Sequence, residues 1–271
     1  MTVRVDLHCH STCSDGADPP ALVATRALRR GVTLFALSDH DTCAGDDAVR
    51  AVRGDAVRAV EVSCREEGRT VHVLVYDAEK SERWSRLEEA LARIRSGRRR
   101  RFRAMAERLA RRGVSVDVDA ILAERGDRPV GRPDLARALV AGGAASSVRE
   151  AFRRYLRDGL SVDEPGWGMS IGEALEFAHA AGGRAALAHP HQIGESALPV
   201  VRRYKGAGLT GIEALYASYG AAARARWLEL ADREGLVATA GSDYHGPDGG
   251  ARLGVDVDDE REKRLREWLR A

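Results

Sequence analysis

The chain has 271 residues, of which 44% are hydrophobic and 31% are charged. This length and composition allow one large domain or two modest ones with a buried core, and they exclude a disordered tail or a disulfide-stapled miniprotein. The 43 Lys and Arg residues against 41 Asp and Glu residues give a net charge of +2, which by itself predicts no attraction to nucleic acid or membranes. No apolar run approaches the roughly 20 residues of a membrane span, and the first residues do not resemble a signal peptide. We therefore expect a cytoplasmic protein with no membrane partner.

Strand and helix patterns alternate over the first third of the chain. Strands are predicted from period-two alternation or short apolar runs, and helices from longer periodic segments with stop signals. The predicted elements are a strand over 3–10, a helix over 21–30, a strand over 32–37, a helix over about 44–53, and strands over 59–62 and 70–76. This alternation predicts a parallel α/β architecture.

The middle of the chain has a different pattern. Between about 81 and 163, apolar residues recur at three- and four-residue spacings and strand signals are scarce, which predicts a helical insertion. The α/β alternation then resumes with a helix over 171–181 and strands over 185–188, 211–215 and 236–240.

Side chains able to bind a metal follow several of the predicted strands, where parallel α/β barrels gather their active-site residues. His8 and His10 are two residues apart in a strand, so both point to one face. The full candidate set is His8, His10, Asp15, His40, Glu61, His72, His189, Asp243 and His245.

This set contains imidazoles and carboxylates and no thiolate. Such a mixture suits zinc, manganese or iron, and is too rich in histidine for magnesium or calcium. Nine ligands are too many for one ion and enough for two or three if a carboxylate bridges. Each residue alone is compatible with an ordinary hydrogen-bonded position, but the joint pattern predicts a metal centre.

The motifs around these residues are similar to those of a known family. The matching segments are Asp6-Leu7-His8-Cys9-His10-Ser11, Ser14-Asp15-Gly16, Ser38-Asp39-His40-Asp41-Thr42, Val60-Glu61-Val62-Ser63, Val71-His72-Val73, Gly131-Arg132-Pro133, Ala188-His189-Pro190 and Gly241-Ser242-Asp243-Tyr244-His245-Gly246. In this order they resemble the polymerase and histidinol phosphatase (PHP) superfamily of metal-dependent phosphoesterases. The resemblance implies a distorted (β/α)7 barrel over 1–80 and 165–271, with a helical insertion over 81–164 that contributes to the substrate pocket.

The resemblance also implies how the ligands are grouped. One ion would be held by His8, His10, Glu61 and Asp243, and a second by Glu61, His72 and His189, with Glu61 bridging. A third would be held by Asp15, His40 and His245, which makes the centre trinuclear. The cofactors expected are therefore two or three divalent ions, manganese, iron or zinc, and the reaction expected is phosphate ester hydrolysis by a metal-activated hydroxide.

Three further residues are predicted to be catalytic and to bind the substrate. Arg132 lies in the segment that resembles the nucleotide-active branch, and its guanidinium can hold phosphate bidentately, although a plain surface position is the alternative. Asp134 stands where those relatives typically have His, and a carboxylate there would repel phosphate unless it is protonated or paired. His191 could protonate the leaving oxygen or contact substrate, and a structural or solvated role is equally open.

The predicted reaction is hydrolysis of a phosphate monoester on a nucleotide, at the 2′- or 3′-phosphate of a nucleoside phosphate or of a 3′,5′-bisphosphate. The alternatives are a 5′-3′ exoribonuclease acting on short RNA, a histidinol-phosphate phosphatase, and a non-catalytic nucleic-acid-binding module. Residues 93–112 hold ten arginines and only Glu107 as an acid. This stretch is either an electrostatic track for RNA or an exposed helix of the insertion.

Overall fold

The computed structural model describes residues 2–77, 82–156 and 168–271. The chain divides into two compact units, a barrel unit of residues 1–91 and 169–271 and a helical unit of residues 92–168. The predicted division fell between 80 and 81 and between 164 and 165. These positions lie outside the described residues, so that division stays a prediction.

The described chain contains nine strands and ten α-helices. The strands are β1 (Thr2–Asp6), β2 (Val32–Leu37), β3 (Val57–Glu66), β4 (Arg69–Asp77), β5 (Met169–Ser170), β6 (Arg184–Leu187), β7 (Leu209–Tyr216), β8 (Val237–Gly241) and β9 (Val255–Asp258). The helices are α1 (Pro20–Arg29), α2 (Asp46–Val52), α3 (Ser85–Ala110), α4 (Val118–Arg125), α5 (Arg132–Ala141), α6 (Val148–Ala151), α7 (Ile171–Ala180), α8 (Ala197–Tyr204), α9 (Ala221–Glu234) and α10 (Asp259–Arg270). Within the described ranges, no helix has both the length and the apolar surface needed to cross a membrane.

The strands of the barrel unit form one sheet in the order β8-β7-β6-β4-β3-β2-β1-β9, with β5 beside β3. Strands β1 to β3 run parallel to one another, as do β6 to β8. The Leu7 amide donates a hydrogen bond of 2.9 Å to the Ala240 carbonyl, so the end of β1 meets the end of β8. The sheet is therefore a nearly closed barrel, and the predicted distorted (β/α)7 barrel with a helical insertion is confirmed.

Strand β4 is the exception to the parallel arrangement. It runs antiparallel to both of its neighbours, β3 and β6. Glu67 and Gly68, with φ of 48° and 78°, form the two-residue turn between β3 and β4, and such left-handed pairs connect the strands of tight hairpins. The antiparallel direction places His72 opposite Ser63, near the end of β3.

Small and branched side chains fill the barrel. Val5, Leu7, Leu74, Ala186 and Ala240 belong to one buried cluster, each no more than 1% exposed. Burying such side chains contributes about 25 cal/mol per Å² of apolar surface removed from water. This core holds the strands, and with them the residues that follow each strand, in fixed positions.

The helical unit has a core of its own, formed by side chains at helical spacing. Its buried residues include Phe102, Met105, Leu109, Leu122, Leu135 and Leu139. Within the arginine-rich stretch, Arg99 donates to the carbonyls of Leu122 and Gly126, and Arg103 pairs with Asp119 at 2.7 Å. Part of this stretch therefore holds α3 against α4 and the turn that follows it.

Gly183 lies where β6 begins, and a Cβ atom there would lie 2.5 Å from the Tyr76 carbonyl oxygen and 3.3 Å from that of Ala178. We expect Gly183→Ala to lower the free energy of unfolding by about 1–3 kcal/mol, because the backbone on both sides must move. Gly206→Ala is the control, since nothing lies within 4 Å of its added Cβ. Equal midpoints of the two variants in urea unfolding would contradict this account.

Candidate metal centre

The structure brings all nine predicted ligands together at one end of the barrel. Because the six parallel strands all end on this side, the residues that follow them meet there. His8, His10 and Asp15 follow β1, and His40 follows β2. Glu61 lies in β3 and His72 in β4, His189 follows β6, and Asp243 and His245 follow β8. His72 reaches the same end because β4 runs the other way.

Glu61 is at the centre of the group and is fully buried. Nitrogen atoms lie 2.8–3.3 Å from its two oxygens, and they belong to His8, His10, His40, His72 and His189. Burial alone would raise the pKa of this carboxyl, but the imidazoles of His40, His72 and His8 outweigh burial and hold the pKa well below its usual range. Glu61 is therefore an ionised carboxylate enclosed by imidazoles.

One oxygen of this carboxylate lacks a hydrogen bond. Within the described part of the chain, Glu61 Oε2 accepts no hydrogen bond of proper geometry, although it is buried. The Nε2 atoms of His8 and His10 also face each other at 3.2 Å. A divalent cation between this oxygen and the two Nε2 atoms would bind all three, since carboxylate oxygens and imidazole nitrogens are ordinary ligands of such ions.

A second carboxylate, Asp243, lies beside the His8 and His10 pair. Its Oδ1 is 3.1 Å from His10 Nε2 and 3.5 Å from His8 Nε2, and its Oδ2 accepts a 2.8 Å hydrogen bond from the Tyr216 hydroxyl. Burial would raise the pKa of Asp243, but the charge on His8 and the hydrogen bond from His10 lower it. Asp243 is thus a second fixed anion of the centre.

Asp15, His40 and His245 belong to another group of potential metal ligands at the same end of the barrel. Asp15 Oδ1 lies 3.2 Å from His245 Nε2, and its Oδ2 lies 3.8 Å from His40 Nε2. Burial would lower the pKa of His245, but the Asp15 carboxylate outweighs burial and raises it to about 10.

The donor atoms fall into overlapping groups rather than separate ones. Each of the following sets has one donor atom per residue within 4.8 Å of the others: His10, Asp15, His40 and His245; His8, His10 and Asp243; His8, Glu61 and His189; and His40, Glu61 and His72. Shared members are typical of a cluster in which ions have ligands in common. The geometry therefore fits divalent metal ions.

Three buried aspartates that the sequence analysis did not select fix the loops carrying the ligands. Each uses one oxygen to accept the amide and the other to accept the hydroxyl of a single serine. The pairs are Asp6 with Ser242, Asp39 with Ser11, and Asp41 with Ser63, at 2.6–3.0 Å. These Asp–Ser clamps join segments that are far apart in sequence, and the acids on either side of His40 in Asp39-His40-Asp41 were the available signal.

Glu213 is another buried acid that the sequence analysis missed. Its Oε1 lies 3.0 Å from His8 Nδ1, and its Oε2 accepts the His189 amide at 2.7 Å. A carboxylate on the Nδ1 side of an imidazole fixes the tautomer and leaves the Nε2 lone pair for a metal. An acid within the apolar segment Gly211-Ile212-Glu213-Ala214-Leu215 could have indicated this role.

The backbone at the site is strained at three non-glycine residues. Asp41, His189 and Asp243 have φ of 51°, 22° and 53°, a region that L-residues rarely adopt. Such strain persists only where surrounding contacts enforce it, and it is concentrated at functional sites. The Asp41 clamp holds Asp41, the Glu213 carboxylate holds His189 through its amide, and Asp243 donates its amide to the His8 carbonyl at 2.7 Å.

The three residues predicted to bind substrate are placed differently. Arg132 and Asp134 belong to the first turn of α5 in the helical unit. Asp134 caps this helix by accepting the Gly131 amide at 2.9 Å, and Arg137 donates to its other oxygen at 2.9 Å. The structure thus gives Asp134 a capping role, and its part in substrate binding stays a prediction, as does that of Arg132.

His191 lies in the barrel unit beside the predicted metal ligands. Its Nδ1 is 2.8 Å from the Tyr219 hydroxyl, and its ring centroid is 6.1 Å from that of His189. Tyr216 packs against both His191 and Tyr219, with centroids 5.1 and 5.0 Å away. Neither tyrosine was predicted from the sequence, and His191, exposed at the surface, stays a predicted substrate contact.

A nearly closed α/β barrel with clustered imidazoles and carboxylates at the strand ends defines a metal-dependent hydrolase. A scan against models of known protein families found no match. Curated relatives do match over nearly the whole chain. A 5′-3′ exoribonuclease of Haemophilus influenzae is 34% identical over 95% of this chain and 96% of its own. A 3′,5′-nucleoside bisphosphate phosphatase of Chromobacterium violaceum is 34% identical over 92% of this chain and 90% of its own.

Further comparisons agree. A phosphoribosyl 1,2-cyclic phosphate 1,2-diphosphodiesterase of Eggerthella lenta is 34% identical over 89% of this chain and 94% of its own. A solved structure from Bifidobacterium adolescentis, assigned as a metal-dependent phosphoesterase, is 28% identical, with a TM-score of 0.81 over 97% of this chain and 94% of that one. The chain belongs to the PHP family of metal-dependent phosphoesterases, as its motifs predicted.

We expect Glu213→Gln to weaken metal binding by roughly 10–100-fold, because the amide cannot accept from both His8 Nδ1 and the His189 amide as the charged carboxylate does. Equilibrium dialysis against buffered free metal, followed by elemental analysis, measures this. Glu229→Gln removes an exposed acid of α9 and should bind metal like the parent. Parental affinity in Glu213→Gln would show that this carboxylate does not act on the centre.

Proposed function

We propose that this phosphoesterase hydrolyses a phosphate monoester of a nucleotide, at the 2′- or 3′-phosphate of a nucleoside phosphate or of a 3′,5′-bisphosphate. The observation that carries the proposal is the buried Glu61 carboxylate, which five imidazole nitrogens approach and of which one oxygen accepts no hydrogen bond from the described residues. The Chromobacterium relative, named as a 3′,5′-nucleoside bisphosphate phosphatase, supports the substrate class.

The ligands would hold two or three ions of manganese, iron or zinc. The first ion would take His8, His10, Glu61 and Asp243; the second Glu61, His72 and His189; and the third Asp15, His40 and His245. Burial lowers the pKa of His10 and lowers that of His72 to about 4, so both are neutral ligands at neutral pH. Glu61 would bridge, because its two oxygens face different imidazoles.

When bound, such ions lower the pKa of a coordinated water and neutralise the charge on the phosphate oxygens. The protein contributes orientation. Glu213 fixes the His8 ring, and the Tyr216 hydroxyl fixes Asp243 through its Oδ2. Because these partners are already in place, little reorganisation is needed when the substrate binds.

His191 would contact the substrate as a neutral imidazole. Burial, and then the neighbouring His189, lower its pKa below the usual value for histidine. A histidine whose pKa is lowered is mostly unprotonated at neutral pH. We therefore expect His191 to form a hydrogen bond to the substrate and not to protonate the leaving oxygen. Together with Tyr216 and Tyr219 it forms an aromatic surface next to the ligands, against which a base or ribose could pack.

Arg132 would bind a phosphate of the substrate. Asp134, two residues along, would repel phosphate if its charge were uncompensated. However, its carboxylate lies 2.9 Å from Arg137 Nη2 and 3.4 Å from Arg125 Nε. The two guanidiniums offset that charge, so Asp134 does not oppose a phosphate at Arg132.

A second candidate is stepwise 5′-3′ degradation of short RNA. The Haemophilus relative, named as a 5′-3′ exoribonuclease, matches at the same identity as the phosphatase. The metal chemistry would be of the same kind, but the water would attack the phosphorus of an internucleotide diester, which keeps one ester bond to the rest of the RNA, instead of a terminal monoester. Substrate assays separate the two.

We expect His8→Ala with His10→Ala to reduce kcat for phosphate release by roughly 10³-fold or more, because two of the predicted ligands and much of the charge stabilisation are lost. Bound metal, measured by elemental analysis, should fall as well. His179→Ala is the matched control, since this exposed histidine of α7 lies outside the cluster. Full turnover in the double variant would refute the assignment of these ligands.

Phosphate release from nucleoside 2′-, 3′- and 5′-monophosphates and 3′,5′-bisphosphates, with manganese, iron or zinc, tests the substrate. We expect the protein to release one phosphate from each bisphosphate molecule. The rate of release should depend only weakly on salt concentration, because the protein contacts few phosphates of such a substrate. An exoribonuclease would instead release successive nucleotides from 5′-phosphorylated RNA and would lose rate steeply as salt rises, since more phosphates are neutralised. Efficient successive release with poor bisphosphate turnover would favour the second candidate.

A further inference from the structure

A concave surface of about 400 Å³ lies between the C-terminal end of α1 and the loop that follows β8. Arg26, Arg29 and Arg30 line it from α1 and its end, and Arg252 lines it from the loop. Among the described residues that line it, none is Asp or Glu. We call this surface the arginine pocket. Neither the proposed metal ligands nor the predicted substrate residues line it.

The floor of the pocket is ordered by specific contacts. Tyr244 and Leu253 line it and are only 4% and 1% exposed. Arg30 Nε donates to the Leu253 carbonyl at 2.6 Å, and the Tyr244 hydroxyl donates to Asp18 Oδ2 at 2.6 Å. The loop and the helix are therefore joined beneath the pocket, and the arginines project from a fixed base.

The charge of the pocket is only partly compensated. Arg26 Nε lies 3.0 Å from Asp18 Oδ2, which offsets one of the four guanidiniums. Arg29 and Arg252 are exposed, and within 2–77, 82–156 and 168–271 neither forms an ion pair.

Many other arginines of the barrel unit do pair with acids, for example Arg50 with Asp47 and Arg202 with Glu234. The arginine pocket therefore keeps an excess of positive charge in a concave place, where such charges repel one another unless an anion binds.

We propose that the arginine pocket binds a phosphate group, separately from the phosphate hydrolysed at the metal centre. Guanidinium forks match phosphate oxygens bidentately, and phosphate can carry two negative charges to meet several forks at once. This inference does not depend on which nucleotide is hydrolysed.

The pocket is connected to the metal centre by a three-residue segment. Tyr244 lines the pocket, while its neighbours Asp243 and His245 belong to the ligand cluster. The segment is held to β1 and the turn after it, because Asp243 N donates to the His8 carbonyl and His10 N donates to the Tyr244 carbonyl. A phosphate in the pocket therefore lies against the segment that carries two of the ligands.

Inorganic phosphate is the probe, and phenylglyoxal labelling of the metal-loaded protein, resolved by peptide mass spectrometry, is the measurement. We expect phosphate to slow labelling of Arg29 and Arg252 several-fold. Arg233 and Arg264, which are 52% and 69% exposed and lie on α9 and α10, are the internal reference and should label at the same rate with or without phosphate. No protection at Arg29 and Arg252, or equal protection at all four positions, would overturn the proposal.

Matched variants identify where the phosphate comes from. Arg29→Gln with Arg252→Gln is compared with Arg233→Gln with Arg264→Gln, which changes the net charge equally. If the phosphate belongs to an RNA backbone, only the first pair raises KM for a 5′-phosphorylated oligoribonucleotide, while kcat and the constants for a mononucleotide stay the same. If it is a free phosphate, both pairs keep the parental constants, and only the protection experiment reports binding. A rise in KM for RNA that is equal in both pairs would show general attraction and would overturn the assignment to this pocket.

Discussion

The structure depends on one buried charge, the Glu61 carboxylate. Removing an ion from water is costly unless partners replace the water, and an uncompensated carboxylate in a fully buried position would be unstable. Here five imidazoles surround it; burial would raise its pKa, but His40, His72 and His8 outweigh burial and hold the pKa well below the usual value. The barrel must therefore bring five histidines from four separate segments within a few ångströms of this carboxylate, and much of the fold serves this requirement.

A surrounding layer of acids holds the predicted metal ligands in position. The three Asp–Ser clamps fix the ends of β1, β2, β3 and β8, and Glu213 fixes His8 and the His189 backbone from β7. The backbone at Asp41, His189 and Asp243 is held in left-handed conformations that would otherwise be unfavourable. These groups are in position before a substrate binds. Such preorganisation is what electrostatic stabilisation of the transition state of a slow hydrolysis requires.

Much of this was predictable from local patterns. Seven of the nine described strands, the first helices and the helical insertion follow from periodicity, because side chains on a strand or helix repeat with a fixed spacing. The short strands β5 and β9 were not predicted. The HxH pair and the histidines and acids after strands identified the set of residues that meets at the barrel end. Less predictable was the direction of β4, where only the short Glu67-Gly68 turn gave a signal, and that direction decides where His72 lies.

The sequence by itself determined which residue types meet and in which family of proteins, since motif and spacing are local properties of the chain. Only the tertiary structure decided the roles of groups that act through distant partners. Asp6 and Ser242 are 236 positions apart, Glu213 and His8 are 205 apart, and the arginine pocket joins α1 to a loop near the end of the chain. An acid or an arginine has the same local signature whether it pairs, caps a helix or remains uncompensated. The difference is set by what the fold places within a few ångströms of it.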